Sequence, residues 1–432
     1  MKRHAHKIFD LILFISLFTI STFCIIGFSI AQPKISTIDS HGLPVVNLNL
    51  NNTNLETIHF GGTSIKYPGN DLELLHHGTV TTYKNIELKG RGNSSWAAAQ
   101  RSYQIKFAEQ KVDLLGLGPA KKLILNANFY DSTPVRNALA AKISTMLEMP
   151  YTRPGEFIEF YVNGEYIGIY YLHHKIEIAK NSVNLTDPAG VIVELDNLHN
   201  YNENCYTTHS GTCLTFKDSV SAVNTPTFKI AASDFIKNFN QLELAAASGD
   251  YETIKNLIDI DSFAKYYLIS EISNDPDGYA SSFYFYKNGF TDQIHAGPIW
   301  DYDYAFGNQD YPWPPYPEFF NPDQFLTRRP EAFGDKDTPA DFKISKLIYQ
   351  LIDIPEFKAR VADIYQASIQ DRFTEIERFI RQTTSKLAPV LAAKPTAKSE
   401  DDTTTYDQHV ENLISWLSTR FEHLDVLYGS KY

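Results

Sequence analysis

Residues Asn274 to Gly307 read NDPDGYASSFYFYKNGFTDQIHAGPIWDYDYAFG, and their pattern decides the fold. Asp275 and Asp277 stand in a loop broken by proline and glycine. Ser281 to Tyr286 alternates as a strand does, and Asn288-Gly289 supplies a turn. A second strand is expected to run through Pro298 into Trp300-Asp301-Tyr302-Asp303. A hairpin returns the chain to where it began, so the aspartates on either side should meet. One carboxylate that orients a hydroxyl, beside one that holds a divalent cation, is the minimum for phosphoryl transfer. Asp277 is the candidate for the first role and Asp301 for the second. Asp303 shares a face with Asp301 if the strand continues. The plainer reading makes Asp275 a cap of the preceding helix and the WDYD run a solvated acidic edge.

Upstream of this stretch the chain reads as β-rich. Phe157 to Leu172, FIEFYVNGEYIGIYYL, alternates aromatic and β-branched residues around an Asn163-Gly164 turn, which predicts a hairpin. Between two earlier strand-like runs lies Lys89-Gly90-Arg91-Gly92-Asn93-Ser94-Ser95. Glycines and small hydroxyl residues can bring backbone N–H groups to an anion that Arg91 clamps, although an ordinary turn has the same composition. Arg101, Lys106, Lys121 and Lys122 add cations downstream. Asp131 and Arg136 bracket the start of a helix expected over 134–147, with Thr133 as its cap; this is an anion-favouring place or a local capping network. His173-His174 end a strand on opposite faces, so joint metal binding by that pair is not expected.

Downstream, helices are expected at 234–247, 250–258, 262–273 (capped by Asp261), 341–351, 355–387 and 406–427. Residues 308–340 are rich in proline and aromatic rings, as in an ordered surface loop or lid. The polar run KPTAKSEDDTTT separates the last two helices. The first residues, MKRHAHKIFDLILFISLFTISTFCIIGFSIAQPK, place basic residues before an apolar run and a Ser29-Ile30-Ala31 cleavage pattern. Residues 1–31 are a signal peptide or an N-terminal anchor, and either exports the remainder.

The 432 residues carry 39 Lys and Arg against 51 Asp and Glu, a formal charge of −12. With no surplus of cations to neutralise phosphates, nucleic acid is not an expected partner. Of three cysteines, Cys24 lies in the leading segment. Cys205 and Cys213 flank YTTHSGT, and in an oxidising compartment they form one short disulfide.

Eight runs occur in an order that resembles the CotH kinase family, the secretory-type atypical protein kinases named for spore coat protein H. They are RGNSSW (Arg91–Trp96), RSYQIKF (Arg101–Phe107), LLGL (Leu114–Leu117), LNANFYDSTPVRNALA (Leu125–Ala140), VNGEYIGIYYL (Val162–Leu172), VIVELDN (Val191–Asn197), NDPDG (Asn274–Gly278) and GPIWDYDYAFG (Gly297–Gly307). The resemblance implies a divergent protein-kinase-like fold, ATP with Mg²⁺ or Mn²⁺, and phosphorylation of Ser/Thr on exported proteins. It also implies that Asp277 is the catalytic aspartate and Asp301 the metal-binding one. Two positions depart from the family pattern: Arg101 stands where Lys is common, and His174 where Glu is common. If that Lys and Glu pair to position phosphates, both halves have changed, and Lys106 is a substitute cation.

These readings predict an α+β chain, β-rich first and helical last. Residues 32–85 form a β-rich extension, 86–387 a CotH kinase-like domain, 388–405 a mobile polar segment and 406–432 a helix packed back on the domain. The expected activity is transfer of the ATP γ-phosphate to Ser/Thr of secreted, periplasmic or surface proteins. Asp277 is catalytic, and Asp301 and Asp303 hold the metal. Arg91, Asn93, Ser94, Arg101 and Lys106 contact nucleotide. Contact with a membrane is expected only through the N-terminal segment, if it stays attached. The competing reading is a catalytically silent pseudokinase that acts as a surface interaction module. A carbohydrate-active protein rests on acids and exposed aromatics alone.

Overall fold

Strand pairing between distant parts of the chain builds the first half of the molecule. The computed structural model describes residues 35–92, 94–152, 154–196, 205–221, 224–276, 278–279, 281–309, 320–326, 346–394 and 404–430. The leading segment 1–31, Asn93, Asp277, most of the 308–340 loop and residues 395–403 of the polar segment lie outside the described residues. The chain is α+β, with most of its strands in the N-terminal half and most of its helix in the C-terminal half.

Seven strands close a barrel in the order β1-β2-β3-β4-β5-β7-β6. They are β1 (Val45–Asn49), β2 (Lys66–His76), β3 (Thr79–Arg91), β4 (Ser102–Phe107), β5 (Lys122–Asn126), β6 (Glu156–Val162) and β7 (Glu165–His174). All neighbours are antiparallel except β1 and β6, which pair in parallel with Val45 opposite Glu159. The inward residues of each strand are apolar and alternate with outward ones. Leu72, Ile86, Leu88, Ile105, Leu123, Ile158, Phe160 and Leu172 fill the interior. The strands before residue 86 are thus staves of the same barrel as those after it. Asn163 and Gly164 both take positive φ, 53° and 78°, as the turn of the β6–β7 hairpin requires.

A second sheet has the order β12-β11-β8-β10-β9. Its strands are β8 (Gly190–Leu195), β9 (Tyr206–Thr207), β10 (Cys213–Ser219), β11 (Phe283–Asn288) and β12 (His295–Ala296). The Cys205–Cys213 disulfide joins the start of β10 to the residue before β9. The predicted hairpin is β11–β12, with Phe285 opposite Ala296. Its second strand is shorter than expected. It ends before Pro298, which has no N–H to donate to a ladder.

The helices are α1 (Leu55–Gly61), α2 (Arg136–Met146), α3 (Pro226–Ser248), α4 (Tyr251–Leu257), α5 (Ile260–Ser273), α6 (Leu347–Ile352), α7 (Pro355–Ser368), α8 (Phe373–Ala393) and α9 (Tyr406–Tyr428). Thr225 caps α3 with Pro226 at its first position. Asp259, not Asp261, caps α5, through a bond from the Ser262 N–H. The single helix expected over 355–387 breaks between Ile369 and Arg372, where Asp371 takes a left-handed φ of 63°. Thr405 and Gln408 form a capping box that starts α9. Helix α5 packs against α7, α9 and α2. Through this packing it carries the chain into the Asn274 loop from a fixed direction.

Candidate active site

A polar cleft of about 380 Å³ lies between the outer face of the barrel, the second sheet and the WDYD segment. Its first wall is β3. Ile86, Leu88 and Gly90 point into the barrel, so Lys89 and Arg91 point out into the cleft. The glycines of KGRGNSSW have steric reasons. A Cβ on Gly90 would lie 2.4 Å from the Trp96 ring, and Gly92 takes a φ of 105° that turns the chain out of the strand. Ser94 opens the short 3₁₀ turn that follows, Ser94–Ala97. Arg91 places its guanidinium 4.5 Å from the centre of the Trp300 ring. This cation–π contact joins the barrel to the WDYD segment.

The second wall comes from that segment. Tyr302 is buried, and its N–H donates to the Asn137 Oδ1 at 2.9 Å. The aspartates on either side of it, Asp301 and Asp303, line the cleft. Asp301 has a left-handed φ of 68°, so the segment is not the strand that the sequence suggested. A backbone bend around buried Tyr302 is what sends both carboxylates to one side. His173 lies against Trp300 with ring centres 5.1 Å apart, and His174 contacts the Leu117 carbonyl through Nε2 at 2.8 Å.

The second sheet forms the floor. Val191, Val193 and Leu195 of β8 pack into the main core, which turns Glu194 and Asp196 toward the cleft. The Ser281 hydroxyl donates to Asp196 Oδ1 at 3.2 Å. Glu194 is only 6% exposed and ion-pairs with Lys217. Burial pushes its carboxyl above the usual carboxylate range, while Lys217 opposes the shift. Tyr284 lies directly across from Glu194 on β11. Burial and the Glu194 carboxylate push its phenol well up, with Arg91 opposing.

Among the nucleotide-binding candidates, Arg91 lines the cleft with Asp301 and Asp303. Arg101 lies elsewhere, stacked 5.1 Å over Trp96 with Nε donating to the Ala98 carbonyl. Lys106 is 3.9 Å from Glu87. Lys217 was not singled out from sequence, and Lys89, Glu194 and Asp196 fell within the quoted runs without a role of their own, because isolated charges on strands carry no spacing signature. The Asp131–Arg136 pair is a capping network. Asp131 accepts from the backbone N–H of Thr133 and of Arg136 at 2.9 Å each, and Arg136 reaches the Ala305 carbonyl at 3.0 Å. Both residues are buried.

The donor set fits a metal–polyphosphate. Among the described residues no group of three or more His, Cys, Asp or Glu is disposed to hold a metal alone. Mg²⁺ is ordinarily held by one or two carboxylates together with substrate phosphates. Asp301 and Asp303 could supply the carboxylates, with Lys89, Arg91 and Lys217 across from them for the remaining phosphate charge. A larger cavity of about 510 Å³ lies between the barrel rim, α2 and α8. It is lined by Leu43, Phe157, Tyr171, Phe379, Lys142 and Lys386, with Glu156 as the one carboxylate among the described residues of its lining, where the polar cleft has two aspartates side by side.

A family model described as CotH kinase protein matches residues 88–424. No curated protein matches the chain.

Proposed function

The chain belongs to the CotH kinase protein family, and on that premise we propose that it is an exported atypical protein kinase. It transfers the γ-phosphate of ATP to Ser/Thr hydroxyls of secreted, periplasmic or surface proteins. The observation that carries the reading is one cleft with Lys89, Arg91 and Lys217 on some walls and Asp301 and Asp303 on another. ATP supplies the phosphoryl group and a divalent cation, Mg²⁺ or Mn²⁺, neutralises its charge. Asp301 and Asp303 hold the cation. Asp277, which lies outside the described residues, orients the attacking hydroxyl and accepts its proton. Arg91 holds phosphate oxygens with a fork that Trp300 keeps from rotating away. The remaining contribution of the chain is electrostatic positioning, the main term in this class of reaction.

Export is supported by the Cys205–Cys213 disulfide, a bond of oxidising compartments. Among the described residues no helix is long and apolar enough to cross a membrane. The reading is tested by incubating residues 32–432 with labelled ATP, divalent cation and candidate secreted proteins. The parent should incorporate phosphate, whereas Asp277→Ala and Asp301→Ala should not. Equal incorporation by parent and variants would overturn the assignment.

A second reading, a catalytically silent interaction module, draws on one observation. Arg101 and His174, at the positions of the family's common Lys and Glu, contact Trp96 and the Leu117 carbonyl rather than forming a pair with each other. Thermal stabilisation of the parent by ATP with Mg²⁺ favours the kinase, and indifference favours the module.

A further inference from the structure

We propose that Lys217, oriented by Glu194, is the residue that grips the nucleotide phosphates in this cleft; the inference rests on the nucleotide-binding reading above. Lys217 is the extra residue of a β-bulge in β10. The pairing with β8 steps from Phe216 opposite Val193 to Asp218 opposite Ile192, leaving Lys217 outside the ladder. A bulge of this kind re-aims a side chain and recurs beside active sites. Here it sends the ammonium to the oxygen Oε2 of Glu194, on the neighbouring strand and on the wall that also bears Asp196.

The two partners differ in exposure in a way that suits an acting cation on a fixed support. The Glu194 side chain is 8% exposed and that of Lys217 is 30% exposed. An ammonium has three donors. Glu194 fixes its position from below, and the remaining donors face the cleft shared with Arg91, Asp301 and Asp303. A buried carboxylate is costly without a cation, so Glu194 and Lys217 hold each other in place. This is the Lys–carboxylate arrangement that Arg101 and His174 do not make. Those two are engaged with Trp96 and Leu117, and Lys106 is beside Glu87. In this chain the Lys–carboxylate pair that lines the cleft stands on the second sheet.

The test uses the full exported chain and an ATP analogue acylated on its terminal phosphate. A lysine Nζ within reach attacks the acyl carbonyl. An amide forms, the bond from carbonyl carbon to phosphate oxygen breaks, ATP leaves, and the amine's proton goes to solvent. Peptide mapping should find the acyl group on Lys217, and excess Mg·ATP should abolish it. In parallel, Lys217→Met should weaken Mg·ATP binding by about 10- to 100-fold, as loss of a charge-assisted bond does, and leave adenosine binding unchanged. Glu194→Gln should weaken it less. Mg·ATP stabilisation of the parent with the label on Lys89, Lys106 or Lys122, and none on Lys217, overturns this inference alone. If the parent is neither stabilised nor labelled, the nucleotide-binding reading fails and takes the inference with it. Labelling of the unmutated chain decides the matter even if Lys217→Met does not fold.

Discussion

Arg420 on α9 is fully buried against Glu271 on α5, the helix that leads into the Asn274 loop. Its Nε donates to the Glu271 carbonyl at 2.7 Å, Nη2 reaches Glu271 Oε2 at 3.2 Å, and Nη1 bonds the Pro322 carbonyl at 3.1 Å. The same carboxylate accepts from the Leu326 N–H at 2.9 Å. One guanidinium thus ties the C-terminal helix, the approach to the loop and the 320–326 segment together.

Arg420→Met leaves the Glu271 carboxylate buried without its cation and should cost about 3–5 kcal/mol. Urea unfolding measures it, and adding Glu271→Gln to the variant should recover part of the loss. A variant with the parent's unfolding midpoint would show that the pair contributes little.

Arg91 and Trp300 make separate predictions for binding. Arg91→Met removes a charge and should lower Mg·ATP affinity by about 10- to 100-fold. Trp300→Leu removes only the ring beneath the guanidinium, a contact of about 0.5–1 kcal/mol, and should cost about 2- to 5-fold. Calorimetric titration orders the two. A larger loss from Trp300→Leu would mean that the ring meets the nucleotide itself.

Gly90→Ala would place a methyl group 2.4 Å from the Trp96 ring and 2.9 Å from the Gly62 carbonyl. Overpacking of this kind costs about 1–3 kcal/mol. Trp96→Leu should relieve part of that cost, so the double variant should be more stable than the sum of the single effects implies. Strict additivity in thermal melts would rule out the Trp96 clash as the cause.

Asp261 accepts both bonds of the Arg360 fork, at 2.7 and 2.8 Å, across the α5–α7 contact. Arg360 holds the Asp261 carboxyl below the usual range. A depressed folded value stabilises above the unfolded pKa of about 4 and is lost as pH falls through the lower folded value. Both side chains are more than 40% exposed, which limits the pair to about 0.2–1 kcal/mol. Asp261→Asn should therefore be slightly less stable than the parent at pH 7, with the gap closing below about pH 4. A gap that widens in acid would contradict this assignment.

Local signals in the sequence located much of the fold. Asn163-Gly164 announced its hairpin because a two-residue turn demands two positive φ values. The helix expected over 406–427 is α9, Tyr406–Tyr428. Trp300-Asp301-Tyr302-Asp303 was misjudged as strand, since nothing within the run reveals that Tyr302 will be drawn down by Asn137, 165 residues earlier. Glu194 with Lys217, and Glu271 with Arg420, could not be paired in advance for the same reason. Each charge looks like ordinary surface until tertiary packing buries it. The glycines of KGRGNSSW suggested an anion loop, yet Gly90 is explained by the room that Trp96 takes.

The parallel seam between β1 and β6 has a consequence for how the molecule assembles. The Leu50 N–H bonds the Asn163 side chain across a sequence separation of 113, and Val45 lies beside Glu159 on the same seam. Every other barrel pairing joins strands much nearer in the chain, so the ribbon from β1 onward can form by successive, more local pairings. The seam must wait for all of them, and it carries the largest loop-closure entropy in the barrel. The order of events follows: an open, curled ribbon in which β1 already pairs with β2 forms first, and the β1–β6 contact closes it last. Pulsed hydrogen exchange should find the seam amides of Leu50, Glu159 and Asn163 protected after those of β3 and β4.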